Sequence, residues 1–74
     1  MHFINMDSQK SMGKAIRTRR RFLSITQQAL AEISGTSLRS IKAIEGGEAN
    51  PTWNQLAKVL GALGWKVELK ESKE

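Results

Sequence analysis

The chain contains no cysteine, so neither a disulfide framework nor a thiolate metal site can prop up its fold. It has one histidine, His2, and no carboxylate pair or glycine-rich phosphate loop in a catalytic setting. Ser34, Ser37 and Ser40 have no base to activate them, so acid–base and nucleophilic chemistry lack their players. No apolar run approaches the roughly 20 residues of a membrane span, and nothing resembles a signal peptide; Met1–Ile4 is too short for either. Internal repeats, linkers and a second domain are also missing. These absences lead to the expectation of a cytoplasmic, non-enzymatic protein with no cofactor and no metal. At 74 residues it forms one domain near the lower limit for an independent core. Tight helix packing or oligomerisation must then supply its stability.

Acidic residues are missing from Ser8 to Ala31, and the placement of charge says more than the net +5. Lys10, Lys14, Arg17, Arg19, Arg20 and Arg21, half of the twelve basic residues, fall within this stretch. Such a cluster is either a solvated helix face or an electrostatic footprint that attracts DNA without reading its sequence. Lys14, Arg17 and Arg21 are the candidates for phosphate contacts. Membrane binding is not expected, because Met12, Ile16 and Leu23 are needed to cover a core.

The periodicity is helical over most of the chain. Residues 1–7 read as a loose arm. A first helix is predicted from Ser8 or Ser11 to Phe22, with Met12, Ile16, Arg20 and Leu23 on one stripe. Thr26 can cap a second helix in which Ala29, Leu30 and Ile33 recur at helical spacing. Gly35 can take the left-handed conformation that stops it. Ser37 caps a third helix with Ile41 and Ile44 on its buried side and Leu38, Arg39, Lys42 and Ala43 on the other. Two short helices with such a turn have the geometry that lays a helix in the DNA major groove. Gly46-Gly47 ends the third helix. Thr52 and Gln55 read as a capping box for a fourth helix striped by Trp53, Leu56, Val59, Leu60 and Leu63, with Gly64 as its stop. The fold class expected is all-α, with the DNA-binding domain at residues 8–64.

After Gly64 the period changes to two. Trp65, Val67 and Leu69 alternate with Lys66, Glu68 and Lys70, the pattern of a half-buried strand over residues 65–70, before a tail at 71–74. One strand cannot satisfy its own backbone, and no other segment is a convincing partner. The economical solution is the same strand of a second copy across a two-fold axis, with Trp65, Val67 and Leu69 in the dimer interface. The other reading is an apolar tail folded over the helices. The charged outer residues fit both.

Thr26-Gln27, Leu30-Ala31, Gly35, Ser37, Ile41, Ile44-Glu45, Gly47 and Pro51 resemble the signature of the lambda-repressor/Cro-like (XRE) helix-turn-helix family. With flanks from Gly13 to Leu69 the resemblance covers roughly three-quarters of the chain. Ile16-Arg17, Arg19-Arg20-Arg21, Leu63-Gly64 and Val67-Glu68-Leu69 make it more similar to the small antitoxins of HipA/HipB type toxin–antitoxin pairs. The resemblance implies four or five helices, a homodimer on palindromic operator DNA, and a C-terminal strand paired across that dimer. It also implies a HipA-like kinase toxin as partner. Three residues depart from the family pattern. Ala29 removes an acidic residue and with it a capping box, Thr36 replaces an aliphatic and loosens the turn, and Glu48 stands where lysine often meets phosphate.

Arg20 and Glu45 both fall on or beside apolar faces, where an isolated charge is costly and an Arg–carboxylate pair can satisfy both. In the resembling repressors the corresponding positions form a salt bridge between the first and third helices, so the pair is expected to be structural. Gln27 sits where the family donates to a phosphate, and Gln28 beside it can reach a phosphate or a base edge. Ser37, Leu38, Arg39, Lys42 and Ala43 are the candidate base-facing set. Arg39 leads it, because its fork matches the O6 and N7 acceptors of guanine. Leu38 and Ala43 suit thymine methyls, and Lys42 a phosphate or a guanine. The expected function is an operator-specific repressor that restrains a kinase toxin. The alternatives are a stand-alone or phage-type repressor and a protein-interaction module without a DNA role.

Overall fold

A computed structural model describes residues 8–66. Within them lie four helices, α1 (Gln9–Phe22), α2 (Gln27–Ser34), α3 (Leu38–Glu45) and α4 (Trp53–Ala62), and no strand. The domain is all-α. Trp65 and Lys66 follow α4 without regular structure, and Val67 and Leu69 of the expected strand lie outside the described residues.

The helices share one start and one stop. Ser8, Thr26, Ser37 and Thr52 each hold an extended backbone and accept, through the side-chain hydroxyl, from the N–H three residues on. Each hydroxyl thereby satisfies one donor that the helix geometry orphans. Thr26 does this for α2 although Ala29 cannot return the bond. At Thr52 only half of the expected capping box forms: the Gln55 N–H donates to the hydroxyl at 3.1 Å, and no return bond from the Gln55 side chain is made. At the other ends Ser24, Gly35, Gly47 and Gly64 have φ of 59°, 70°, 75° and 80°. In every case the N–H of the next residue reaches back five positions. Ile25 donates to Arg20 O, Thr36 to Ala31 O, Glu48 to Ala43 O and Trp65 to Leu60 O. This is the Schellman closure, which turns the chain sharply while consuming orphan carbonyls.

The core draws Met12 and Ile16 from α1, Leu30 and Ala31 from α2, and Ile41 and Ile44 from α3; Leu56, Val59, Leu60 and Leu63 complete it from α4 and its end. α1 packs on α3, and α2 packs on both α3 and α4. Gly13 makes the first of these contacts close. A Cβ there would stand 2.2 Å from the Ile44 carbonyl oxygen and 2.8 Å from that of Glu45.

Three residues expected on apolar stripes are not buried. Ile33 is 61% exposed, because the buried side of α2 is the sector of Leu30, Ala31 and Ser34, about 100° away on the wheel. Trp53 is 49% exposed; it shares the stripe of Leu56, Leu60 and Leu63 but is the first residue of α4, at the end of the helix. Leu23 is 37% exposed, since it caps α1 where the chain turns, and Ile25 takes the place against the core. At the turn after α2, Thr36 is not loose. Its hydroxyl is 2.8 Å from that of Ser34, which also donates to Leu30 O at 2.6 Å.

Candidate nucleic-acid interface

α2 and α3 are joined by only three residues, Gly35–Ser37. The left-handed Gly35 and the capping Ser37 force the chain into a new direction within that length. Ile41, Ile44 and Glu45 are buried, so the orientation of α3 is set by its inner side. Arg39 and Lys42 are exposed on the outer side, and Ala43 is half-buried. Leu38 is also half-buried and packs partly on the core, because it lies nearer the Ile41–Glu45 sector than Arg39 does. Leu38, Arg39, Lys42 and Ala43 nevertheless line one open depression of about 590 Å³, whose rim includes Glu48 from the loop before α4. Ser37 is exposed, but its hydroxyl is engaged with the N–H and hydroxyl of Ser40 at 3.0 and 2.9 Å. The Gln28 amide donates to Glu32 at 3.0 Å along the surface of α2.

Behind this surface lies a buried polar network. Arg20 donates from Nε to Glu45 Oε2 at 2.6 Å and from Nη2 to Oε1 at 3.0 Å, and its Nη1 reaches Ile25 O at 2.9 Å. Gln27 adds an amide donor to Glu45 Oε1 at 3.1 Å. The expected pairing of Arg20 with Glu45 is therefore present, and it is bidentate. The hydrogen bonds that Arg20 donates to Glu45 raise its pKa above the ordinary value, and the carboxylate's charge adds to this against the opposing effect of burial. No buried side-chain nitrogen or oxygen among the described residues lacks a partner. The network joins the last turns of α1 and α3 to the first turn of α2, so α3 cannot tilt without breaking it. Gln27 is thus brought to the interface already engaged with Glu45.

The basic cluster of α1 lies beside this network. Lys14 and Arg21 are exposed, while Arg17 is half-buried and donates to Glu45 O at 3.4 Å. An open depression of about 420 Å³ brings Arg17 and Arg21 together with Gln27 and Lys42. Sequence reasoning brought these residues forward separately and did not foresee their juxtaposition, which depends on the α1–α3 contact at Gly13. Arg19, from the same basic cluster, turns toward the end of α4 instead. It donates from Nε to Leu63 O at 3.0 Å, and its guanidinium carbon lies 5.4 Å from the ring centres of both Phe22 and Trp65. Trp65 is partly buried against the core of its own domain.

No cluster of three or more potential metal ligands occurs among the described residues. No helix among them is long and apolar enough to cross a membrane. Compared with protein-family models and with characterised proteins, the chain has no significant match.

Proposed function

We propose that the chain is a sequence-specific DNA-binding repressor of the XRE type. It acts as a homodimer on a palindromic operator, serves as the antitoxin of a HipA-like kinase toxin, and represses its own operon. The observation that carries the DNA-binding reading is the two-sided character of α3. Its inner side is locked by Ile41, Ile44 and the Arg20–Glu45 pair, while Arg39 and Lys42 stand free on the outer side. A helix held this way can offer a fixed pattern of donors to the major groove with little entropy left to lose.

Arg39 reads a guanine in this scheme, with Leu38 and Ala43 against methyl groups and Lys42, Gln27, Gln28 and Ser37 as flanking contacts. Lys14, Arg17 and Arg21 meet phosphates. Dimerisation places two copies of α3 in successive major grooves about 34 Å apart, and pairing of residues 65–70 across the two-fold axis supplies the contact through Trp65, Val67 and Leu69. The likeness to HipA/HipB type antitoxins supports the toxin partner.

Selection of duplexes from a random pool, followed by affinity measurement, tests the reading. Arg39→Ala should cost roughly 1–3 kcal/mol on the selected duplex and relax preference at one base pair per half-site. Equal losses on selected and scrambled DNA would remove Arg39 from the readout. Co-expression with the product of the adjacent gene tests the partner. If no complex forms and that gene encodes no kinase-like protein, the stand-alone repressor is the correct reading.

A further inference from the structure

We infer that the face of α1 turned away from the core is a second arm of the DNA contact. It is a track for consecutive backbone phosphates of one strand, running from Lys42 past Arg17 and Arg21 to Lys14 and Lys10. This rests on the DNA-binding reading and extends it from α3 along the whole of α1.

Two open depressions, of about 420 and 410 Å³, share Arg17, Arg21, Glu45 and Gly46 as common walls. The first is completed by Lys42 and Gln27, the second by Lys10, Lys14 and Thr18. They therefore meet along α1 and form one trough. Lys10, Lys14, Arg17, Thr18 and Arg21 recur at helical spacing on a single sector of the wheel, and the twelve residues from first to last span about 16 Å of helix axis. That length suits a strand of several phosphates better than one compact anion.

The floor of the trough contains two features that would repel an anion, and both are neutralised. The Glu45 carboxylate has its oxygens occupied by Arg20 and Gln27. The last four carbonyls of α3 each accept a hydrogen bond: Lys42 O from Gly46, Ala43 O from Glu48, Ile44 O from Gly47 and Glu45 O from Arg17. The one ion pair among the described residues is Arg20–Glu45. Among the described residues, Lys10, Lys14, Arg17, Arg21 and Lys42 thus crowd the trough without a carboxylate partner, an arrangement that a polyanion relieves. Both depressions are open along the surface, so a strand can pass through them.

The test uses a duplex enriched from a random pool by the intact chain, with phosphate ethylation to mark the phosphates that binding requires. Wild type should show interference at a run of consecutive phosphates on one strand of each half-site. The double variant Lys10→Ala/Lys14→Ala alters two exposed side chains. It should erase one end of that run and lower the salt slope by about two. Its affinity should fall by the same factor on enriched and scrambled duplexes, and Lys10→Arg/Lys14→Arg should restore both readouts. An unchanged run and slope in the alanine variant would overturn the track while leaving the DNA-binding reading intact. A wild-type chain that enriches no duplex and shows no salt-dependent binding would overturn both. Inorganic phosphate at constant ionic strength should displace DNA no better than chloride; stronger displacement would assign the trough to free phosphate and overturn the track.

Discussion

Ser24 has φ of 59° at the end of α1, where the other three helices place glycine. A side chain in the left-handed region costs about 1–2 kcal/mol relative to the ordinary helical one, and glycine avoids that cost. Ser24→Gly should therefore raise the stability by about 1 kcal/mol, less what glycine's freer unfolded chain takes back. Urea titration measures this, and a destabilised variant would mean that the hydroxyl holds a contact. At Arg20 and Glu45 the balance differs, since each is nearly buried and each is the other's chief partner. Arg20→Ala should cost roughly 3–5 kcal/mol by stranding a carboxylate, and Arg20→Met/Glu45→Leu markedly less. A double variant as unstable as the single would refute the desolvation argument. Because the pKa of Arg20 is raised on folding, its share of stability is fully present below the ordinary arginine value. That share is lost only as pH rises through the folded value, so Arg20 contributes no pH dependence near neutrality.

At the scale of elements, Gly13 sets how near α1 comes to α3. The helix propensity gained by Gly13→Ala is about 1 kcal/mol, whereas a Cβ at 2.2 Å from the Ile44 carbonyl oxygen must push backbone against backbone. Overpacking of this kind typically costs 1–3 kcal/mol or more, so it outweighs the propensity gain. The variant should be destabilised on urea titration and should bind DNA more weakly, because the α1 cations and Lys42 move apart. Gly61→Ala is the matched control. A Cβ there meets nothing within 4 Å, so α4 should gain up to about 1 kcal/mol from the same substitution. If both substitutions stabilise, the α1–α3 approach is slack and Gly13 is not its spacer. Arg19 ties the end of α1 to the end of α4 through Leu63 O, which fixes where the chain leaves the domain.

At the scale of the whole molecule, the proposed homodimer is tested through residues 65–70. Trp65 packs on its own core and its N–H closes α4 through Leu60 O, so removing it would damage the domain as well as a dimer contact. Truncation after Lys66 separates the two effects. The shortened chain should keep its helical circular dichroism, sediment as a monomer, and bind the selected duplex far more weakly, because one half-site offers no avidity. Val67→Pro removes a ladder donor and should have the same direction of effect. If both proteins remain tight dimers with unchanged DNA affinity, the interface lies elsewhere.

Among the described residues, the sequence by itself marked the four helices and their capping hydroxyls, and set Arg20 and Glu45 on apolar faces where each needs a partner. These follow from local rules: a hydroxyl one turn before an orphan N–H, a glycine where φ must be positive, and a charge standing on an apolar stripe. Ser24 escaped because serine carries no mark of a left-handed stop. Tertiary packing alone decided the rest. Ile33 is as apolar as its buried neighbours, but burial depends on which sector of a helix its partner helix covers, and that sector is set by contacts distant in sequence. The trough is the same kind of feature. Arg17, Gln27 and Lys42 acquire a common wall only because Gly13 lets α1 lie against the end of α3, a proximity that no periodicity within either helix encodes.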